Sequence, residues 1–140
     1  MIRLMRSLPA VVLFPALLAG ASQAQANAGR CPEGLSTVEM SLCVGKLLEQ
    51  KDLKLSSAMQ RIAISASTST GAQFSQLWKD QLASTFHTSI DPEAQVAAFQ
   101  QARRHACVYL NSLALQSAGF GITVSHCELR LTDALIQSID

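Results

Sequence analysis

Aromatic side chains are scarce in this chain, with one Trp, one Tyr and five Phe in 140 residues. Neither sign of charge is in excess: eleven Lys and Arg face ten Asp and Glu, a formal net charge of +1. That balance leaves no electrostatic footprint for nucleic acid or for an anionic membrane surface. No run of alternating β-branched residues competes for a sheet. No Cys-x-x-Cys pair is present, which argues against a thioredoxin-like redox role. A nucleophile elbow, a phosphate-binding glycine loop and a His-Glu-x-x-His motif are all missing. The acids Glu39 and Asp52 are separated by about 20 Å of rise on one helix, too far to flank a single glycosidic bond. No enzyme activity and no cofactor are expected.

What the chain does have begins at its N-terminus. Met1 to Arg6 carries two arginines, and Leu8 to Ala19 is apolar except for Pro9 and Pro15. Small residues follow, ending in Ala24-Gln25-Ala26 or Ala26-Asn27-Ala28, either of which fits a signal-peptidase site. The apolar run is too short and too broken for a permanent membrane span. Residues 1–28 therefore read as a secretory signal cleaved near 26 or 28, and residues 29–140 as one small helical domain. Ala21 stands where a lipoprotein would carry its cysteine, so no stable membrane anchor is expected after cleavage. Taking Arg3 and Arg6 away leaves nine basic against ten acidic residues, about −1. The location expected is periplasmic or secreted, an oxidising setting in which four cysteines predict disulfides.

The exported part is rich in Leu, Ala, Ser and Gln, a helical composition. Ser36-Thr37-Val38-Glu39 has the form of a capping box. Met40, Val44, Leu47, Leu55, Met59 and Ile62 recur at the helical period, which predicts a first helix from Thr37 to about Ser65. Ser65 to Gly71 reads as a loop. Phe74, Leu77, Trp78, Leu82 and Phe86 then form the apolar face of a second helix, ending before His87. Asp91-Pro92-Glu93 supplies an N-cap, a first-turn proline and an acid near the positive end of the dipole. Val96, Phe99, Ala102, Ala106, Leu110 and Leu113 carry a third helix to about Ser117. Gly119 and Gly121 mark a turn, and Val124 to Ile139 predicts a fourth helix with Val124, Cys127, Leu131, Leu135 and Ile139 inward. The fold class is all-α, a small antiparallel bundle of about four helices stapled by two disulfides.

The run from Cys31 through Ser36, Glu39 and Cys43 to Asp52-x-x-Leu55 resembles the opening of the lysozyme inhibitor LprI-like domain family. Phe99, Arg103, Cys107, Cys127 and Thr132 fall at the steps of that family's second half. Ser56 replaces the usual Asn, Phe99 the usual Trp, and Leu135 a late Arg. The resemblance spans nearly all of the exported part. It implies an envelope protein, in one branch of the family an inhibitor of lysozyme, and it brings no catalytic residues.

Four cysteines allow three pairings. Local pairing, Cys31–Cys43 and Cys107–Cys127, is favoured, because Pro32 and Gly34 let the first segment fold back and the second pair would staple neighbouring helices. Crossing Cys43 to the second half is the alternative. His105, Cys107, His126 and Cys127 offer zinc-type ligands, but consecutive residues 126 and 127 point about 100° apart on a helix, and export would oxidise the thiols. No metal site is expected. Arg103 is a candidate to pair across the bundle with Asp52.

Two functional readings follow. One is a protein that blocks a lysozyme-type cell-wall hydrolase through the loops Ser65–Gly71, His87–Asp91 or Ser117–Thr123, of which only Asp91 brings an acid. The alternative is an envelope interaction, immunity or accessory protein with a different protein partner. For that reading, Phe120 and Ile122 are either an exposed patch or a hydrophobic staple closing the bundle end.

Overall fold

The computed structural model describes residues 29–68 and 71–139. The expected signal segment, residues 1–28, lies outside the described residues. Four α-helices are present among them: α1 (Thr37–Thr68), α2 (Ala72–Asp80), α3 (Pro92–Leu110) and α4 (Phe120–Gln137). No strand occurs among the described residues, so the fold is all-α. A π-helical turn, Gln81–Thr85, prolongs α2, and a 3-10 turn, Ser112–Ala114, follows α3.

Local chemistry sets each helix start. The Ser36 backbone N–H donates to Glu39 Oε2 at 2.9 Å, and the Ser36 hydroxyl donates to the same oxygen at 2.6 Å. Glu39 N–H donates back to Ser36 Oγ at 3.3 Å. This reciprocal pair satisfies donors that an open helix end would leave free. Gly34, at φ 81°, turns the chain just before it. Asp91 caps α3 by accepting from Glu93 N–H at 3.1 Å, with Pro92 in the first turn.

Several boundaries differ from the sequence expectation. α1 runs on to Thr68, because the Ser67 and Thr68 hydroxyls donate to Ile64 O at 2.8 and 2.9 Å and stay folded against their own helix. α3 stops at Leu110 rather than Ser117. The Asn111 side chain donates to Cys107 O at 2.7 Å and its backbone N–H donates to the same carbonyl at 3.2 Å, closing the last turn. α4 begins at Phe120, with Gly121 inside it. Thr123 ties that first turn by donating from N–H and Oγ1 to Gly119 O, at 3.0 and 3.1 Å.

α3 runs antiparallel to both α1 and α4. Along α3, Val96 packs with Leu55 and Ile136, while Arg103 reaches Asp52 and Thr132 and Cys107 reaches Cys127. α1 and α4 are therefore parallel, which also brings Lys51 to Asp133. α2 folds back along the end of α1, where Trp78 lines grooves with Met59, Ile62 and Ala66.

Two disulfides staple the bundle, Cys31–Cys43 and Cys107–Cys127. The core is split. One cluster holds Leu55, Val96 and Ile136 with Met59, Phe99, Leu135 and Ile139 against them. The other holds Cys107, Val124 and Cys127 with Val108 and Phe120. Burying a side chain such as Leu55 stabilises the fold by about 1.5–3 kcal/mol.

The inward faces also depart from expectation. On α3, Ala102, Ala106 and Leu110 are exposed, and Arg103 and Cys107 take the inner positions. On α4, Leu131 faces solvent while Glu128 and Thr132 are buried. Of the face expected on the second helix, Phe74 and Leu77 of α2 and Phe86 beyond the π-helical turn are exposed, and only Trp78 of α2 and Leu82 of that turn are half-buried.

Candidate functional site

The charged residues singled out in the sequence hold helices together. Arg103, 5% exposed, lies between the two apolar clusters. Its Nη2 donates to Asp52 Oδ2 at 2.7 Å, and its Nη1 pairs with Asp52 Oδ1 and donates to Thr132 Oγ1 at 2.8 Å. Gln100 Nε2 donates to Asp52 Oδ2 at 2.9 Å. Glu128, buried on α4, accepts from Arg104 Nη1 at 2.9 Å and sits 3.8 Å from Arg103 Nε. The Phe99 ring lies under the Arg103 guanidinium, 5.5 Å from its centroid. Two acids thus balance two arginines across three helices. The arrangement satisfies charge within the bundle.

Sequence reasoning pointed to Asp52 and Arg103 and missed Glu128, Arg104 and Gln100. The readable signal was the place of Glu128, next to the inward Cys127 and four residues before Thr132 on one side of α4. Ser36 and Glu39 stay at the exposed start of α1. The Ser36 side-chain and backbone hydrogen bonds hold the Glu39 carboxyl below the ordinary carboxylate range. The sulfurs of Cys107 and Cys127 are bonded to each other, so they offer no thiolates beside His105 and His126. No group of three or more potential metal ligands converges among the described residues.

The surface carries more distinctive chemistry at the far end of α3. Asn111 ends the helix, and tight turns follow: Ala114 N–H donates to Asn111 O at 2.9 Å, Leu115 N–H to Ser112 O at 3.2 Å and Ser117 N–H to Ala114 O at 2.9 Å. Both sides of this knuckle are anchored, since Cys107 and Cys127 close it and Phe120 packs on that disulfide cluster. Phe120 is therefore the staple of the bundle end and not an exposed patch. The apolar side chains exposed at this end of α3 are instead Tyr109 (80%), Leu110 (72%), Leu113 (104%) and Leu115 (60%). Leu110 and Leu113 were expected on the third helix's apolar face; Leu110 instead lies on the exposed side it shares with Ala106, and Leu113 lies beyond the helix end. The disulfide gives this apolar surface a fixed base, which lowers the ordering cost of binding.

The loop 86–91 is the other irregular segment. Thr88 N–H donates to Leu82 O at 2.9 Å, and His87 adopts a left-handed φ of 49° to make the turn. Behind it lies an apolar groove of about 250 Å³ lined by Met59, Ile62, Trp78, Leu82, Ile90 and Pro92. Gln95 closes its polar edge by donating to Thr88 Oγ1 at 2.6 Å.

No family model, no curated protein and no solved structure matches the chain. Among the described residues, no helix is long and apolar enough to cross a membrane. Two closed disulfides and no free cysteine among those residues accord with an oxidising compartment.

Proposed function

We propose that the protein is exported to the periplasm or beyond as an LprI-like binding module that acts by covering another protein, without chemistry of its own. The observation that carries this reading is the disulfide-closed knuckle with Tyr109, Leu110, Leu113 and Leu115 exposed on it. Clustered exposed apolar groups of this kind mark protein contacts. Tyr109 supplies the aromatic anchor that interfaces favour. The family resemblance directs the first test to a lysozyme-type cell-wall hydrolase.

A second reading is a lasting envelope complex, as an immunity or accessory subunit. The apolar character of the knuckle favours it, because inhibitors that plug a cationic hydrolase usually present acidic loops. The 86–91 loop offers only Asp91.

The test is peptidoglycan lysis by a panel of lysozyme-type hydrolases with and without the purified, oxidised protein. The inhibitor reading expects dose-dependent protection that is lost in Tyr109→Ser/Leu113→Ser. An unprotected substrate at large molar excess sinks it. Co-purification of an envelope protein with the parent chain and not with the double variant would then carry the second reading.

A further inference from the structure

A cleft of about 720 Å³ lies between the N-terminal segment, α1 and α4, and none of Tyr109, Leu110, Leu113 and Leu115 lines it. Gly29, Arg30 and Cys31 form one wall, and Thr123, His126, Leu129 and Arg130 of α4 form another. Met40 and Leu47 of α1 make an apolar floor. Its volume falls in the range of about 300–1,000 Å³ usual for ligand sites.

The charge of this cleft is one-sided. His126 and Arg130 are four residues apart on α4, so their side chains share one face of the helix. Arg30 faces them from the N-terminal segment. The single acid in the lining is Asp133, and Lys51 already pairs with it. Among the described residues, neither Arg30 nor Arg130 has a carboxylate within ion-pairing distance. All three of Arg30, His126 and Arg130 are exposed. Two unpaired guanidiniums on a chain whose net charge is only +1 are a local concentration of positive charge.

Guanidinium groups present fixed forks of N–H donors that suit carboxylates. The apolar floor favours a ligand with backbone or aliphatic surface between its charges over a bare ion. We propose that this cleft binds an acidic peptide segment of a partner, with two carboxylates held by Arg30 and Arg130 and the His126 ring beside them. The Cys31–Cys43 disulfide completes the site. It ties the segment carrying Arg30 to the first turns of α1 and so keeps that guanidinium opposite α4.

The probe is a dye-labelled tetraglutamate peptide, titrated by fluorescence anisotropy at low ionic strength against the purified, oxidised protein, with tetraglutamine as control. Saturable binding of tetraglutamate, at least tenfold tighter than tetraglutamine, is expected. Arg30→Gln and Arg130→Gln should each weaken it about five- to tenfold, and Arg130→Lys should restore part of the loss. Cys31→Ser/Cys43→Ser should weaken it as much as Arg30→Gln while far-UV circular dichroism still reports the helices. Amide shifts in a 15N spectrum should move at residues 30, 126 and 130. Equal binding of tetraglutamine, unchanged affinity in both arginine variants, or shifts centred elsewhere would each overturn the proposal. Inorganic phosphate that competes as well as tetraglutamate would overturn the peptide assignment and leave a simple anion site.

Discussion

Asp52 on α1 and Arg103 on α3, separated by 51 residues, meet fork to fork, with Arg103 Nη2 donating to Oδ2 at 2.7 Å and Nη1 reaching Oδ1. Their contact joins two helices that no disulfide links. It also lies between the two apolar clusters, where a guanidinium without a partner would be most costly.

Asp52→Ala leaves that guanidinium with only the Thr132 hydroxyl and the more distant Glu128 carboxylate. Removing one partner of a buried pair costs about 3–5 kcal/mol, and urea denaturation should show a loss near the low end, since the Asp52 side chain is 20% exposed. Asp52→Leu/Arg103→Met removes both charges and should recover most of it. A single-variant loss below about 1 kcal/mol would mean that the pair is solvated in the folded chain.

Neighbouring residues on α4 should behave oppositely. Thr132→Val takes away the hydroxyl that accepts from Arg103 and donates to Glu128 O at 2.8 Å, and should cost about 1–3 kcal/mol. Leu131→Ala, on the outer face, should stay within about 0.5 kcal/mol. Equal effects would place the inner face of α4 one residue away.

The two disulfides should differ in accessibility. Cys107 and Cys127 are buried, whereas Cys31 and Cys43 are only half-buried. Thiolate attack on a disulfide needs access to sulfur. Graded dithiothreitol followed by alkylation and peptide mapping should label Cys31 and Cys43 first. With sequence separations of 12 and 20 residues, each bond should add about 3 kcal/mol in the chain-entropy description. Simultaneous labelling of all four thiols would count against the difference.

Acid should erase the contribution of Glu39. Its carboxyl is held below the ordinary value by the Ser36 side-chain bond first and the Ser36 backbone bond second. A lowered folded-state value means stability that is complete above the unfolded-state value and lost as pH falls through the folded one. The melting temperature of Glu39→Gln should therefore trail the parent at neutral pH and converge with it once the pH has fallen below the ordinary carboxylate range. A gap that is constant across that range would show that the charge is irrelevant to the cap.

Much of the fold was written in local signals. Ser36 with Glu39, and Asp91 with Pro92, mark helix starts because their chemistry is complete within a few residues. The apolar stripe of α1 is legible through Val44 and Leu55, which have no polar competitor, although Ile62, counted in the same stripe, is exposed. Reading failed where tertiary partners reverse the meaning of a residue. Glu128 looks like a surface charge until it meets Arg104, and counting apolar positions selects Ala102, Ala106 and Leu131 where the inner places go to Arg103, Glu128 and Thr132, although Arg103 was legible as a partner for Asp52. Gly119 and Gly121 likewise signal a turn, while the packing of Phe120 on the Cys107–Cys127 pair draws that stretch into α4. The arginine cleft had no local signature at all. Arg30 and Arg130 are a hundred positions apart, and only the folded chain sets them on facing walls.

The pairing of the cysteines has a consequence for how the molecule is made. Each one bonds to its immediate neighbour in the order of synthesis, first with second and third with fourth. A chain that emerges N-terminus first presents Cys31 with Cys43 before either later cysteine appears, and once that bond has closed Cys107 meets no free thiol but Cys127. An oxidant acting in order of arrival produces the native connectivity directly, with no wrong bond to be undone.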